Sequence, residues 1–237
     1  MKIKKIIKIT IIVLLFITSL TIAQTYEDFV TDYTEVDQLG EINVGDTDNY
    51  DIVMTDLGRG SVSYVRKSFG ADYFGDFTHE FEVFFSADDA CTVIGFWAIN
   101  NSSDDLAEMS ADDDGMCLNY YDQCSGTPRL TLVDYTNDNL DQTAESYAYY
   151  PPNIYYFTIT RDGTSLTCDI YSDASRETLI EQLSITCGTD TYEYYYPVMT
   201  HQSGSNNDRG LTYEIRNAEL TVAGGSTKLI PLAKKYW

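Results

Sequence analysis

Across most of the chain, apolar and polar positions alternate in short runs rather than recurring with a helical period. FEVFF (81–85), CTVIGFWAI (91–99), CLNYY (117–121), RLTLVDY (129–135), YYFTIT (155–160), LTCDIY (166–171) and LTYEIRNAELTV (211–222) are all rich in aromatic and β-branched residues. In LTCDIY, Leu166, Cys168 and Ile170 fall on one face while Thr167, Asp169 and Tyr171 fall on the other, the period of two expected of a half-buried strand. Turn chemistry bounds these runs: Asp162-Gly163, Cys124-Ser125-Gly126-Thr127-Pro128 and Gly204-Ser205-Asn206-Asn207-Asp208. No stretch carries the 3.6-residue period for more than about two helical turns. Many evenly spaced strands without helices predict an all-β sandwich or barrel, and about 200 residues suffice for one such domain.

Two stretches carry a family resemblance. YVRKSFGADYFGDFTHEFEV (64–83) and PPNIYYFTITRDGTSLTCDIYSD (151–173) resemble the concanavalin A-like lectin/glucanase superfamily in its laminin G-like branch. There a strand ends in Arg-Asp-Gly, turns and returns as an alternating strand. Arg161-Asp162-Gly163 followed by Leu166 to Tyr171 is similar to that plan, as are Phe74-Gly75-Asp76-Phe77 ahead of an alternating strand and the closing strand Tyr213–Val222. The resemblance spans residues 26–222 and implies a two-sheet antiparallel jelly-roll β-sandwich. It implies no single activity, because the superfamily holds lectins, hydrolases, adhesion modules and structural units alike.

The ends change the picture of location. Residues 1–23, MKIKKIIKITIIVLLFITSLTIA, place Lys2, Lys4, Lys5 and Lys8 before an apolar run from Ile9 to Phe16 and end in Thr21-Ile22-Ala23. This is the plan of a secretory signal peptide, with an uncleaved N-terminal anchor as the alternative; the apolar run falls short of the roughly 20 residues of a membrane span. The expected organisation is a signal peptide at 1–23, a jelly-roll domain at 24–222 and a flexible C-terminal tail at 223–237, with no transmembrane segment after the leader and a secreted or cell-surface location. Without the leader, 11 basic residues face 37 acidic ones, a formal charge of −26. Such a surface repels nucleic acid and anionic membranes, both bound through cationic contacts, and excludes nucleic acid as a partner. Five cysteines (Cys91, Cys117, Cys124, Cys168 and Cys187) allow two disulfides with one thiol left over, in a connectivity the spacing leaves open.

Three constellations carry candidate chemistry. In TEVDQLGE (34–41), Glu35 and Asp37 share a strand face, as paired catalytic carboxylates would. The superfamily's glucanases place Glu-x-Asp-x-Glu on one central strand; here a Leu39-Gly40 turn separates Asp37 from Glu41, and the position is an early edge. No catalytic residues are therefore expected. The loop NNSSDDLAEMSADDDG (100–115) crowds hard oxygen ligands, making Asp112, Asp113 and Asp114 candidate Ca²⁺ ligands. Among the 20 tyrosines, Tyr192, Tyr194 and Tyr196 alternate onto one expected face, and Trp97 stands on another strand; exposed aromatic rings beside carboxylates and amides suit stacking on sugar rings. Finally, GGSTKLIPLAKKYW (224–237) brings Lys228, Lys234, Lys235 and Trp237 to an acidic protein, suited to docking on itself or on a neighbouring copy. The expectation is an exported, non-catalytic, lectin-like module whose partners are glycans or cell-surface polysaccharide. The alternative is a structural subunit of an extracellular layer or filament.

Overall fold

The computed structural model describes residues 26–58, 60, 62–88, 92–112, 114–121, 128–135, 144–146, 153–201 and 210–223. Fourteen strands form two seven-stranded sheets, paired antiparallel throughout. In chain order the strands are β1 (Thr34–Val36), β2 (Ile42–Val44), β3 (Asp51–Leu57), β4 (Tyr64–Ser68), β5 (Phe77–Asp88), β6 (Val93–Asn100), β7 (Met116–Tyr121), β8 (Arg129–Asp134), β9 (Ala144–Ser146), β10 (Asn153–Asp162), β11 (Ser165–Tyr171), β12 (Leu179–Thr186), β13 (Tyr194–Thr200) and β14 (Leu211–Val222). The first sheet has the order β1-β4-β13-β6-β7-β8-β9 and the second β12-β11-β10-β5-β14-β3-β2. Two short helices, α1 (Phe29–Asp32) and α2 (Leu106–Ala111), complete the description. No described helix is long and apolar enough to cross a membrane.

The jelly-roll sandwich follows from the alternation. On β5, Phe77, His79, Phe81, Val83 and Phe85 are buried, whereas Thr78, Glu80 and Glu82 are only partly covered. Phe81 stacks at 5.2 Å on Phe157, its partner on the neighbouring strand β10, and across the sandwich meets Phe96 of β6 edge-on at 6.4 Å. Arg161, at the end of β10, donates to the carbonyls of Gly188 and Asp190 at 2.8 and 2.6 Å and so ties the β12–β13 connection to the hairpin. That is the work of the Arg161-Asp162-Gly163 signature.

A second apolar cluster lies on the outer side of the first sheet. Tyr64, Ala98, Leu106, Met109, Cys117, Val133, Tyr196 and Met199 belong to it. Leu106 and Met109 come from α2, so that helix roofs part of the sheet and leaves all eight residues of β6 buried. Residues 100–115 carry α2 where the sequence predicts only a loop, because Asp105 accepts the N–H groups of Ala107 and Glu108 at 2.7 and 3.0 Å as its N-cap. Cys117, Cys168 and Cys187 are free thiols. Cys168 lies opposite Leu183 in the β11–β12 ladder, so it does not face Cys187.

Candidate functional site

Where the roof of α2 ends, the outer face of β4 and β13 carries an aromatic–arginine cluster. On β4, Val65 points into the sandwich while Tyr64 and Arg66 alternate to the outside. On β13, Tyr195 and Val198 enter the core and Tyr196 lies outside. The ladder shifts register between Tyr195 and Val198, a bulge that contains Pro197, where no N–H is available for pairing. The Arg66 guanidinium sits over the rings of Tyr64 and Tyr194 at 5.0 and 5.2 Å. Its Nη1 donates to the Tyr196 hydroxyl at 3.2 Å and to Asp104 Oδ1, and the Tyr64 hydroxyl donates to Asp104 Oδ2 at 3.4 Å. Burial works against the charge on Arg66, yet the Tyr196 and Asp104 contacts hold its pKa above the usual guanidinium value. Burial and Asp104 push the Tyr64 hydroxyl upward, against the opposing pull of Arg66. Tyr64 and Tyr196 are buried and form the floor. The Arg66 and Asp104 side chains remain 29% and 40% exposed, and Tyr194 is half-buried at the rim.

Asp104 is placed by the acidic segment that follows β6. Asp114 accepts the backbone N–H groups of Asn101, Ser102 and Ser103 at 3.0, 2.8 and 3.3 Å, and both serine hydroxyls as well. Glu108 reaches back from α2 to the Asp104 N–H at 2.8 Å. Gly115 takes φ +116°, and a Cβ there would sit 2.3 Å from the Ile99 carbonyl oxygen; only glycine allows this approach. Two carboxylates, Asp114 and Glu108, and one glycine thus hold a third carboxylate against Arg66. The cluster joins a ring face to a ring of polar atoms, chemistry suited to a polyhydroxylated ligand.

No protein-family model and no curated protein sequence matches the chain. Solved structures do match. The exoplasmic/lumenal domain of VIP36 in its Ca²⁺/Man2-bound form superposes with a TM-score of 0.55 at 10% identity, over 82% of this chain and 81% of that one. Winged bean acidic lectin complexed with methyl-α-D-galactose gives 0.54 at 12% identity, over 84% of this chain and 95% of that one. This chain has the concanavalin A-like lectin/glucanase fold. The metal-free form of the VIP36 domain matches at 0.54 and 9% identity, over 81% of this chain and 84% of that one. At such identities the likeness describes the frame; the chemistry has to be read from this chain's own side chains.

Within the concanavalin A-like frame, the residues expected to bind sugar separate. Trp97 is fully buried, which corrects its assignment to a binding face. A bulge between Gly95 and Trp97 changes the parity of β6, so Trp97 turns into the core and donates its Nε1–H to His79 Nδ1 at 2.9 Å. Tyr192 is also corrected: it precedes β13, bridges to Phe74 and lies in the main core. Tyr196 is on the expected face but fully buried, acting as floor and hydrogen-bond acceptor. Tyr194 alone of the four presents itself at the rim.

Two of the trio expected to hold Ca²⁺ lie among the described residues. Asp114 is engaged by the donors named above, Asp112 is an exposed C-cap of α2, and Asp113 lies outside the described residues. Lys228, Lys234, Lys235 and Trp237 lie outside them too. At the opening acids, Asp37 accepts the N–H groups of Leu39, Gly40 and Ile42 at 3.2, 2.9 and 2.9 Å, with Gly40 at φ +76°. Asp37 anchors the turn that follows the edge strand β1, and Glu35 is exposed on that strand. Sequence reasoning missed Arg66. Its signal was the Tyr64-x-Arg66 alternation, which sets a cation beside an aromatic ring on one strand face.

Proposed function

We propose that this chain is an exported, non-catalytic, lectin-like protein that binds carbohydrate on the outer face of β4 and β13. The half-exposed Tyr194 ring carries the reading, because it stands beside an Arg66–Asp104 pair that remains open to solvent. A sugar ring stacks its apolar face on the tyrosine while its hydroxyls donate to Asp104 and accept from Arg66. Two neighbours in the comparison were solved with Man2 and methyl-α-D-galactose, which supports glycan as the ligand class. The Lys-rich leader supports export to the cell surface or beyond.

The VIP36 neighbour was solved with Ca²⁺. In this chain the described carboxylates beside the cluster do not fit a Ca²⁺ site, which takes six to eight oxygen ligands. Asp104 pairs with Arg66, Asp105 caps α2 and Asp114 holds the 101–103 turn. No group of three His, Cys, Asp or Glu that could hold a metal occurs among the described residues. The binding proposed here therefore runs through Arg66 and Asp104, and a chelator leaves it unchanged.

The test is a broad glycan array with the full chain, its Tyr194→Ala variant and its Asp104→Asn variant. Wild type binds a defined subset and both variants lose it. Absence of binding across the array overturns the reading, and loss of binding in chelator overturns its metal-free form. A second reading, subunit of an extracellular layer or filament, draws on β12. This eight-residue edge strand leaves Leu179 and Ile180 51% and 45% exposed, and uncovered edges are templates for pairing. Ordered polymers by electron microscopy, lost in Ile180→Lys, would favour it; a monodisperse monomer at high concentration would remove it.

A further inference from the structure

The carbohydrate reading leaves one part of Arg66 without a role. Its Nη1 is engaged twice, by Asp104 and by the Tyr196 hydroxyl. Among the described residues its Nε–H and both Nη2 hydrogens have no hydrogen-bond partner, and neither nitrogen is among the buried unpaired atoms. Nε–H and one Nη2–H form the two-pronged edge of a guanidinium, whose spacing matches the two oxygens of a carboxylate. Here that edge is also fixed in direction. The guanidinium is held between the Tyr64 and Tyr194 rings, and Asp104, itself positioned by Glu108, pins the opposite corner. A fork already oriented by protein contacts loses little freedom when a ligand arrives.

We propose that this site is selective for anionic sugars, with the Nε–Nη2 edge of Arg66 receiving an oxyanion of the sugar while Tyr194 stacks on the ring. A uronate carboxylate and a sulfate ester share this chemistry, the carboxylate being the planar match. Asp104 acts as a positioning residue for the arginine and partly neutralises it, so the site is not a bare positive patch. The chain's formal charge of −22 opposes any anion at long range, but physiological salt screens this beyond about 8 Å. Discrimination is left to contact geometry. A neutral sugar can still lie on Tyr194, but it offers the fork only hydroxyl oxygens, which bond less strongly than a charged group.

The proposal rests on the carbohydrate reading, and the experiment separates the two. The full chain is titrated by calorimetry with three matched trisaccharides that end in glucose, glucuronic acid or glucose 6-sulfate. One anionic probe or both bind about tenfold or more tighter than the neutral one, the fold-change expected when a neutral hydrogen bond becomes charge-assisted; which of the two is tighter identifies the source of the oxyanion. Arg66→Lys, which retains the charge and loses the fork, brings the anionic-to-neutral ratio to near one. Circular dichroism and the urea midpoint check that this variant is folded, and in wild type the preference ratio alone stands as the readout should it fail to fold. Equal binding of all three probes, or tighter binding of the neutral one, overturns the anionic selectivity while leaving the lectin reading intact. Binding of none, together with a blank array, overturns the carbohydrate reading itself.

Discussion

His79 makes the chain acid-sensitive in a way that one substitution exposes. It is fully buried on β5, stacks on Phe77 at 4.3 Å, and accepts the Trp97 Nε1–H on Nδ1 at 2.9 Å. That bond requires an unprotonated Nδ1, and Nε2 has no partner, so an added proton would cost both the Trp97 bond and the hydration of a cation. Burial accordingly drives its pKa from 6.5 down to about 3. A histidine in the unfolded chain takes up its proton near the ordinary value. Stability from neutral His79 is thus fully present above pH 6.5 and is lost progressively as pH falls from there toward the folded value. The loss runs at about 1.4 kcal/mol per pH unit, or about 2.5 kcal/mol by two units below the unfolded value. The assay is urea unfolding of wild type and His79→Asn between about pH 7.5 and about pH 4.5. Asn retains an oxygen for Trp97 and cannot take up a proton, so the variant is less stable at neutral pH. Taking the difference cancels the carboxylates the two proteins share. The wild-type advantage shrinks by about 2.5 kcal/mol across that range; two curves that run parallel would refute the reasoning.

The other predictions test placement. Trp97→Ala opens a cavity in the sandwich and lowers stability by about 3–5 kcal/mol, whereas Tyr194→Ala, at the rim, moves the urea midpoint little and reports on binding alone. Asp37→Ala removes the acceptor of three backbone N–H groups and lowers stability by about 1–3 kcal/mol; Glu35→Gln, exposed on the same edge, changes it by less than about 0.5 kcal/mol in the same denaturation assay. Gly115→Ala forces a Cβ onto the Ile99 carbonyl and displaces the segment that presents Asp104. Its expected signature is lost glycan binding together with a lowered melting temperature, and unaltered binding would show that Asp104 needs no such support.

How legible the sandwich was depended on how strictly each strand alternates. β5, β10 and β11 are half-buried with clean parity; β14 changes parity at the bulge between Arg216 and Glu219, yet the bounds read for it, 211–222, are those observed. The early strands β2 and β3 and the edge strand β12 escaped. β12 exposes its first four residues and alternates only from Leu183 onward, too short a stretch to mark LIEQLSIT as a strand by period. Parity also decided what was wrong about the site. Tyr194 and Tyr196 do share a face, as the spacing required, because the ladder to β6 runs unbroken from Tyr194 to Tyr196. Trp97 and Tyr192 fell on the wrong side because a bulge precedes one and the strand begins after the other. A period-two argument holds only within an unbroken ladder, and neither break carries a turn residue that would announce it beyond Gly95 itself.

The acidic segment raises a different problem, since its residues are chemically alike and their roles are not. The segment reads as a crowd of hard oxygen ligands with Asp112, Asp113 and Asp114 as the Ca²⁺ candidates, and its acids with contacts in the structure are Asp104, Asp105, Glu108 and Asp114. The structure assigns them to an arginine partner, a helix cap, a backbone brace and a turn anchor. The cap had a sequence signal, Asp105 followed three residues later by Glu108. The partner of Arg66 had none, because the pair is separated by 38 positions and is joined only when β4 and the end of β6 lie on either side of β13. Density of carboxylates in a sequence is therefore weak grounds for a metal when helix termini and turns are present to use them. What sets Asp104 apart from the other carboxylates is the cation opposite it. Tyr194, Arg66 and Asp104 come from three separate segments of the chain, and only the order β4-β13-β6 in the first sheet makes them one surface.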